Sequence, residues 1–144
     1  MDQPTLPLTG PQKIRLLVLC LPFPCFGAAL VFYYAFWVDF ASRWSRQPID
    51  LASGKSLLFL ALMALVLAVT GLQALRALRD LASGAALVTE DRLLRSWRSR
   101  GSYRRAKFAK LGRMRILRWA GSDGQTYRIV YSPATKIVWS ADLS

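Results

Sequence analysis

The sequence predicts a membrane α-helical hairpin of two transmembrane helices, followed by a small antiparallel β domain of about five strands, as a sheet or open barrel. Three observations carry this expectation. Residues 16–38 and 56–75 hold no Asp, Glu, Lys or Arg, which gives uncharged runs of 23 and 20 residues. A helix rising ~1.5 Å per residue crosses the ~30 Å hydrocarbon layer in about 20 residues, so each run is long enough. Beyond Arg76 the apolar spacing changes from helical to alternating.

The opening residues 1–12 carry Pro4, Pro7 and Pro11 and are expected to form a flexible, extended tail. Lys13 and Arg15 then introduce the hairpin, placed at 13–81 with spans at 15–38 and 56–78. A cleaved signal peptide also starts basic and turns apolar. This run is too long for one and lacks a small-x-small cleavage site. A lipid-attachment reading of Cys20 fails on Leu19, where a small residue is needed. Cys20 and Cys25 are too few and too deep for a disulfide framework or metal site.

Pro22 and Pro24 fall within one turn of the first span, and each removes a backbone donor, so a kink is expected there. A transporter could use such a break as a substrate site, but no inverted repeat or polar group accompanies it. The end of the span is aromatic (Phe32, Tyr33, Tyr34, Phe36, Trp37, Phe40, then Trp44), as at a membrane–water boundary. In the second span Ala61, Ala64, Ala68 and Gly71 form a small-residue seam at spacings of three, four and three. Such a seam lets helix backbones approach, and Leu75 and Leu78 extend it. Its partner is the first helix or another subunit. No ionisable group lies midway along either span to mark an ion path.

The loop 39–55 holds three basic and two acidic residues, whereas the chain beyond the second span holds fifteen and five. The positive-inside bias therefore puts both termini in the cytoplasm. The Arg-, Ala- and Leu-rich composition points to a bacterial chain from a GC-rich genome, and with the two spans the expected location is the bacterial inner membrane. The basic cytoplasmic β domain is placed at 83–144, after a helix exit at Asp80–Gly84. Its strands are expected at Ala85–Thr89, Arg92–Arg98, Arg113–Trp119, Gln125–Tyr131 and Lys136–Ser140. A short basic helix is expected over Tyr103–Lys110, and hairpin turns at Gly121–Gly124 and Ser132–Thr135.

The exit Asp80-Leu81-Ala82-Ser83-Gly84 and the closing Tyr131-Ser132-Pro133-Ala134-Thr135-Lys136-Ile137 carry a resemblance. Over about 76–143 the chain resembles small bacterial membrane proteins that join a two-helix hairpin to a compact cytoplasmic β domain. The resemblance implies a fold and a location. It brings no catalytic residue, because no activity is attached to that group.

Candidate chemistry is sparse. Ser53-Gly54-Lys55-Ser56 looks like the end of a phosphate-binding loop, but Ile49 stands where the first glycine belongs. Asp-Leu-Ala-Ser-Gly recurs at 50–54 and 80–84 without matching neighbours and reads as two helix-end sequences. Histidine is absent, which removes the commonest general base and zinc ligand. Glu90 and Asp91 are adjacent and would point to opposite faces of a strand, a turn signature more than an acid–base pair. No Ser-Lys dyad is marked. An enzyme is therefore not expected, and no cofactor or metal is called for.

The remaining signal is charge. The chain carries +12, and residues 92–118 hold eleven Lys or Arg with no acid. Arg95, Arg98, Arg100, Arg104, Arg105 and Lys107 are the candidate contacts to an anionic surface, with Trp97 and Trp119 as aromatic contacts. Anionic lipid adds about 1 kcal/mol per basic residue beside a cytoplasmic leaflet. The expected role is non-catalytic: an accessory or scaffold subunit docking on a membrane complex or anionic lipid. Its partners would be the bilayer and a membrane protein or second copy. The alternative is a membrane-tethered nucleic-acid binder, and a third possibility is a solvated face that only sets topology.

Overall fold

A computed structural model describes residues 4–40, 43, 54–98, 104–117 and 121–144, without the side chains of 37–38 and 54–56. Trp44, the 50–54 copy of the pentapeptide up to Ser53, Arg100, Tyr103 and Trp119 lie outside the described residues. The chain divides into two compact units: Leu17–Leu75, and Met1–Leu16 together with Arg76–Ser144.

The helical unit takes in the end of α1 (Gly10–Cys20), α2 (Pro22–Phe32), a π-helical turn (Tyr33–Val38) and most of α3 (Gly54–Ser83). Pro22 and Pro24 supply no N–H, and the ladder is interrupted at Leu21, whose N–H reaches back only to Val18 O at 3.3 Å. Leu21 keeps right-handed helical angles, so the chain continues in the same sense. The π turn follows, with Phe32 and Phe36 stacked at 4.9 Å between ring centres. Cys20 donates to Ala74 O at 3.7 Å, the Phe23 ring lies against Gly71, and Tyr33 meets Phe59 at 5.1 Å. These pairs rise along one helix as they fall along the other, which makes the packing antiparallel. Thr70 Oγ1 donates to Val66 O at 2.8 Å, so a polar group on an apolar helix is satisfied locally.

Both helices, over Gly10–Phe36 and Leu57–Ser83, are long and apolar enough to cross a membrane. Only 6 % of the most apolar stretch of each is buried within the chain. Leu58, Leu65, Val69, Leu72 and Leu75 stand exposed along α3.

Among the described residues the second unit is built around a sheet of six strands: β1 (Thr5–Pro7), β2 (Ala85–Arg98), β3 (Arg104–Phe108), β4 (Gly112–Ile116), β5 (Thr126–Ser132) and β6 (Ile137–Leu143). The 14-residue β2 organises it. One edge carries β1 beside Ala85–Leu87 and then β3 beside Leu93–Arg98, and the other carries β5 beside Leu87–Arg92. The neighbours continue as β3–β4, β4–β6 and β6–β5, so five strands return on themselves as a ring. The core inside it includes Leu93, Phe108, Met114, Ile116, Ile129 and Val138, all nearly inaccessible to solvent.

Four sequence expectations are corrected here. The sheet is mixed, because β4 and β6 run parallel through Arg115↔Ile137 and Ile116↔Val138. The reason is parity: strands alternating in direction around a ring of five must leave one like-directed pair. The expected helix over Tyr103–Lys110 contains β3 instead. Ala106 and Phe108 alternate inward with Arg105 and Lys107 outward, and ring closure outweighs the helix preference of Arg, Ala and Lys. The strands expected at Ala85–Thr89 and Arg92–Arg98 are one strand. Finally, Gly121–Gly124 does not join paired strands, since β6 lies between β4 and β5. It caps β2, with Gly124 N–H on Leu93 O at 2.7 Å and Asp123 accepting Ser96 N–H at 3.0 Å.

The residues expected as a tail supply β1 and the buried Leu8, whose N–H donates to Gly84 O at 2.9 Å. Gly84 ends α3 as expected, at φ +64°, a left-handed conformation suited to a residue without Cβ. Its N–H reaches back to Asp80 O and Leu81 O.

Candidate functional site

Cross-strand partners share a face of a sheet, so the register of β2, β3 and β4 decides which cations stand together. Arg95 pairs with Lys107, which pairs with Arg113. Trp97 pairs with Arg105, which pairs with Arg115. Between these rows Ser96, Ala106 and Met114 form an inward row, and the last two are buried. The outer face of β2–β3–β4 thus presents five Lys or Arg and one Trp, with no acid in either row. Like charges directly opposite one another cost stability. Among the described residues no acid forms a salt bridge with any of these five cations.

The other side of the ring is arranged differently. Glu90 of β2 pairs with Arg128 of β5, which pairs with Asp142 of β6. All three are exposed, and the signs alternate. One protein surface therefore carries a row of alternating sign and a pair of rows of one sign, joined through β2. Charge is segregated by strand.

Of the residues read from sequence as anionic contacts, the structure brings Arg95, Arg105 and Lys107 together with Trp97. Arg98 and Arg104 pair with each other on the opposite parity, at the strand ends, and both are exposed. Arg113 and Arg115 complete the face and were not singled out in sequence. Their signal was available as alternation in Arg-Met-Arg-Ile, with Met114 and Ile116 inward. Leu94, Arg95, Trp97, Lys107 and Arg113 line a groove of about 570 Å³ on this side. Leu94 is exposed, and a register shift between Leu93 and Arg95 marks a local irregularity beside it.

The buried carboxylates have structural partners. Asp91 takes Lys110 N–H at 2.9 Å, Leu111 N–H at 2.8 Å and Arg92 N–H at 2.7 Å. It lies inside β2, not in a turn, and ties that strand to the β3–β4 connection. Burial, with the Asp91 charge adding to it, pushes the Tyr131 phenol above its ordinary value of 10. Asp80 accepts Ala134 N–H at 3.0 Å and Thr135 N–H at 2.8 Å. Trp139 Nε1 donates to Ser132 Oγ at 2.9 Å in the same hairpin. Among the described residues no three His, Cys, Asp or Glu side chains gather where a metal could be held.

In the helical unit the small-residue seam divides. A Cβ on Gly71 would lie 3.2 Å from the Phe23 ring, whereas Ala61, Ala64 and Ala68 are exposed in the chain. Leu75 and Leu78 are exposed as well. No family model, no curated protein and no solved structure matches the chain.

Proposed function

We propose that the chain is a non-catalytic integral membrane protein of the bacterial inner membrane, with both termini cytoplasmic. Its role is that of an accessory or scaffold subunit, docking through the outer face of β2–β3–β4 on a membrane complex or anionic lipid surface. The observation that carries this is the in-register stacking of Arg95, Lys107 and Arg113 beside Arg105 and Arg115. A sheet gains nothing in stability from such rows, and an opposing anionic surface compensates them. The membrane part rests on two helices with long uncharged runs, whose apolar side chains are left uncovered by the chain itself. The orientation rests on the excess of Lys and Arg beyond the second helix.

Purification of the full chain from its own membranes in mild detergent tests this. A stoichiometric protein partner or retained anionic lipid is expected, lost when Arg105 and Arg115 are both changed to Glu. A preparation free of both, or one indifferent to that charge reversal, overturns it. A second reading, a tethered nucleic-acid binder, draws on Trp97 standing in register with Arg105 and Arg115. Co-purifying nucleic acid with a steep salt dependence would favour it.

A further inference from the structure

Resting on that anionic-surface reading, we infer that the groove lined by Leu94, Arg95, Trp97, Lys107 and Arg113 is a site for a single anionic phospholipid. Two features separate it from the rest of the basic face. First, it combines three cations with apolar surface, from the exposed Leu94 and the half-buried Trp97. Arg105 and Arg115 supply charge but do not line it. Second, it has the volume of a molecular site: about 570 Å³ falls within the roughly 300–1,000 Å³ typical of ligand pockets.

The cross-strand register gives the site its chemistry. Arg95, Lys107 and Arg113 stand on adjacent strands in one row, so three cations from β2, β3 and β4 converge on one strip of surface. A phosphodiester on that strip accepts charge-assisted hydrogen bonds, with Arg able to donate in bidentate fashion. Leu94 and Trp97, on the β2 side, offer the glycerol and upper acyl carbons an apolar wall. Tryptophan suits that boundary because its ring is apolar and its N–H is polar. An inorganic phosphate satisfies only half of this surface. The occupant is therefore an amphiphile, with an anionic headgroup and a chain.

The test uses the full chain held in phosphatidylcholine nanodiscs and titrated with dihexanoyl phosphatidylglycerol below its micelle concentration. Tryptophan emission is the readout, and Trp97→Phe identifies the signal. Saturable binding is expected, at least about tenfold tighter than for glycerol phosphate or dihexanoyl phosphatidylcholine. Lys107→Ala with Arg113→Ala should weaken it about tenfold, and Leu94→Ser should weaken the lipid while leaving glycerol phosphate unchanged. Equal binding of lipid and glycerol phosphate overturns the inference. So does a single-stranded oligonucleotide that competes as well as the lipid. Binding to phosphatidylglycerol vesicles is measured in parallel with Arg105→Glu/Arg115→Glu. Charge-dependent vesicle binding without a groove response removes this inference and leaves the broader reading standing, whereas loss of both removes both.

Discussion

The Thr135 hydroxyl donates to Asp80 Oδ2 at 2.6 Å across 55 residues of sequence. This bond joins two motifs singled out in the sequence, the helix exit at 80–84 and the closing hairpin at 131–137. Asp80 is 1 % exposed and accepts three donors from residues 134 and 135. The carboxylate therefore fastens the last turn of α3 to the β5–β6 turn within one compact unit. Hydrogen bonds to a charged group contribute about 1.5–3 kcal/mol each, more than neutral ones.

Thr135→Val removes one of the three donors and is expected to cost about 1–2 kcal/mol. Asp80→Ala strands two part-buried backbone N–H groups as well and should cost about 3 kcal/mol or more. Chemical denaturation of the purified chain in one detergent measures both. Equal losses for the two variants would show that the hydroxyl alone secures the contact.

Lys107→Thr is expected to separate stability from binding. It relieves like-charge pairing with both Arg95 and Arg113, at about 0.2–1 kcal/mol per pair, and Thr suits a strand. The melting temperature should rise while affinity for anionic vesicles falls. A fall in both would mean that Lys107 supports the sheet by packing.

Arg128→Glu should act in the opposite sense. It would place three acids in a row at Glu90, position 128 and Asp142, lowering stability by about 1–2 kcal/mol. Vesicle binding by the folded fraction should not change, because Arg128 is on β5, away from the basic rows. Reduced binding there would extend the contact surface around the ring.

Gly71→Leu is expected to loosen the helix pair, since even a Cβ would sit 3.2 Å from the Phe23 ring. Phe23→Ala in the same chain should recover part of the loss in thermal stability. Ala61→Leu and Ala68→Leu, at exposed positions, should leave the monomer's stability within about 0.5 kcal/mol. If the alanine variants instead cost as much as Gly71→Leu, the seam packs against a second chain.

Alkaline pH should destabilise the sheet through Tyr131. Its phenol is held above the ordinary value of 10 by burial and by Asp91, so folding favours the protonated form. The stability is complete below the unfolded value and declines as pH rises from there through the folded value. Tyr131→Phe should flatten part of that decline in a melting-temperature series. An unchanged pH profile would assign the loss to other groups.

Several features were legible in the residues themselves. The two apolar helices, the Gly84 stop, the interruption at the Pro22–Pro24 pair and the strands after Gln125 follow from composition and spacing. These depend on nearest neighbours along the chain: donors missing from a helix, a residue tolerant of positive φ, apolar residues at alternate positions. The strand at Arg104–Phe108 was not legible, because Arg, Arg, Ala and Lys are individually good helix formers and its two inward residues make too short a pattern. The role of Asp91 was hidden for a related reason: an acid in sequence reads as exposed until the loop it anchors is known.

What the sequence determined by itself was therefore each segment's local character, together with the concentration of positive charge over 92–118. The tertiary structure alone decided how that charge is grouped. Closing five strands into a ring set the register that lines up Arg95, Lys107 and Arg113, separated Arg98 and Arg104 from them, and forced one parallel pair. Register and closure are properties of strands meeting across space. They are selected by burial of the inward row and by the odd number of strands, and neither can be read one residue at a time.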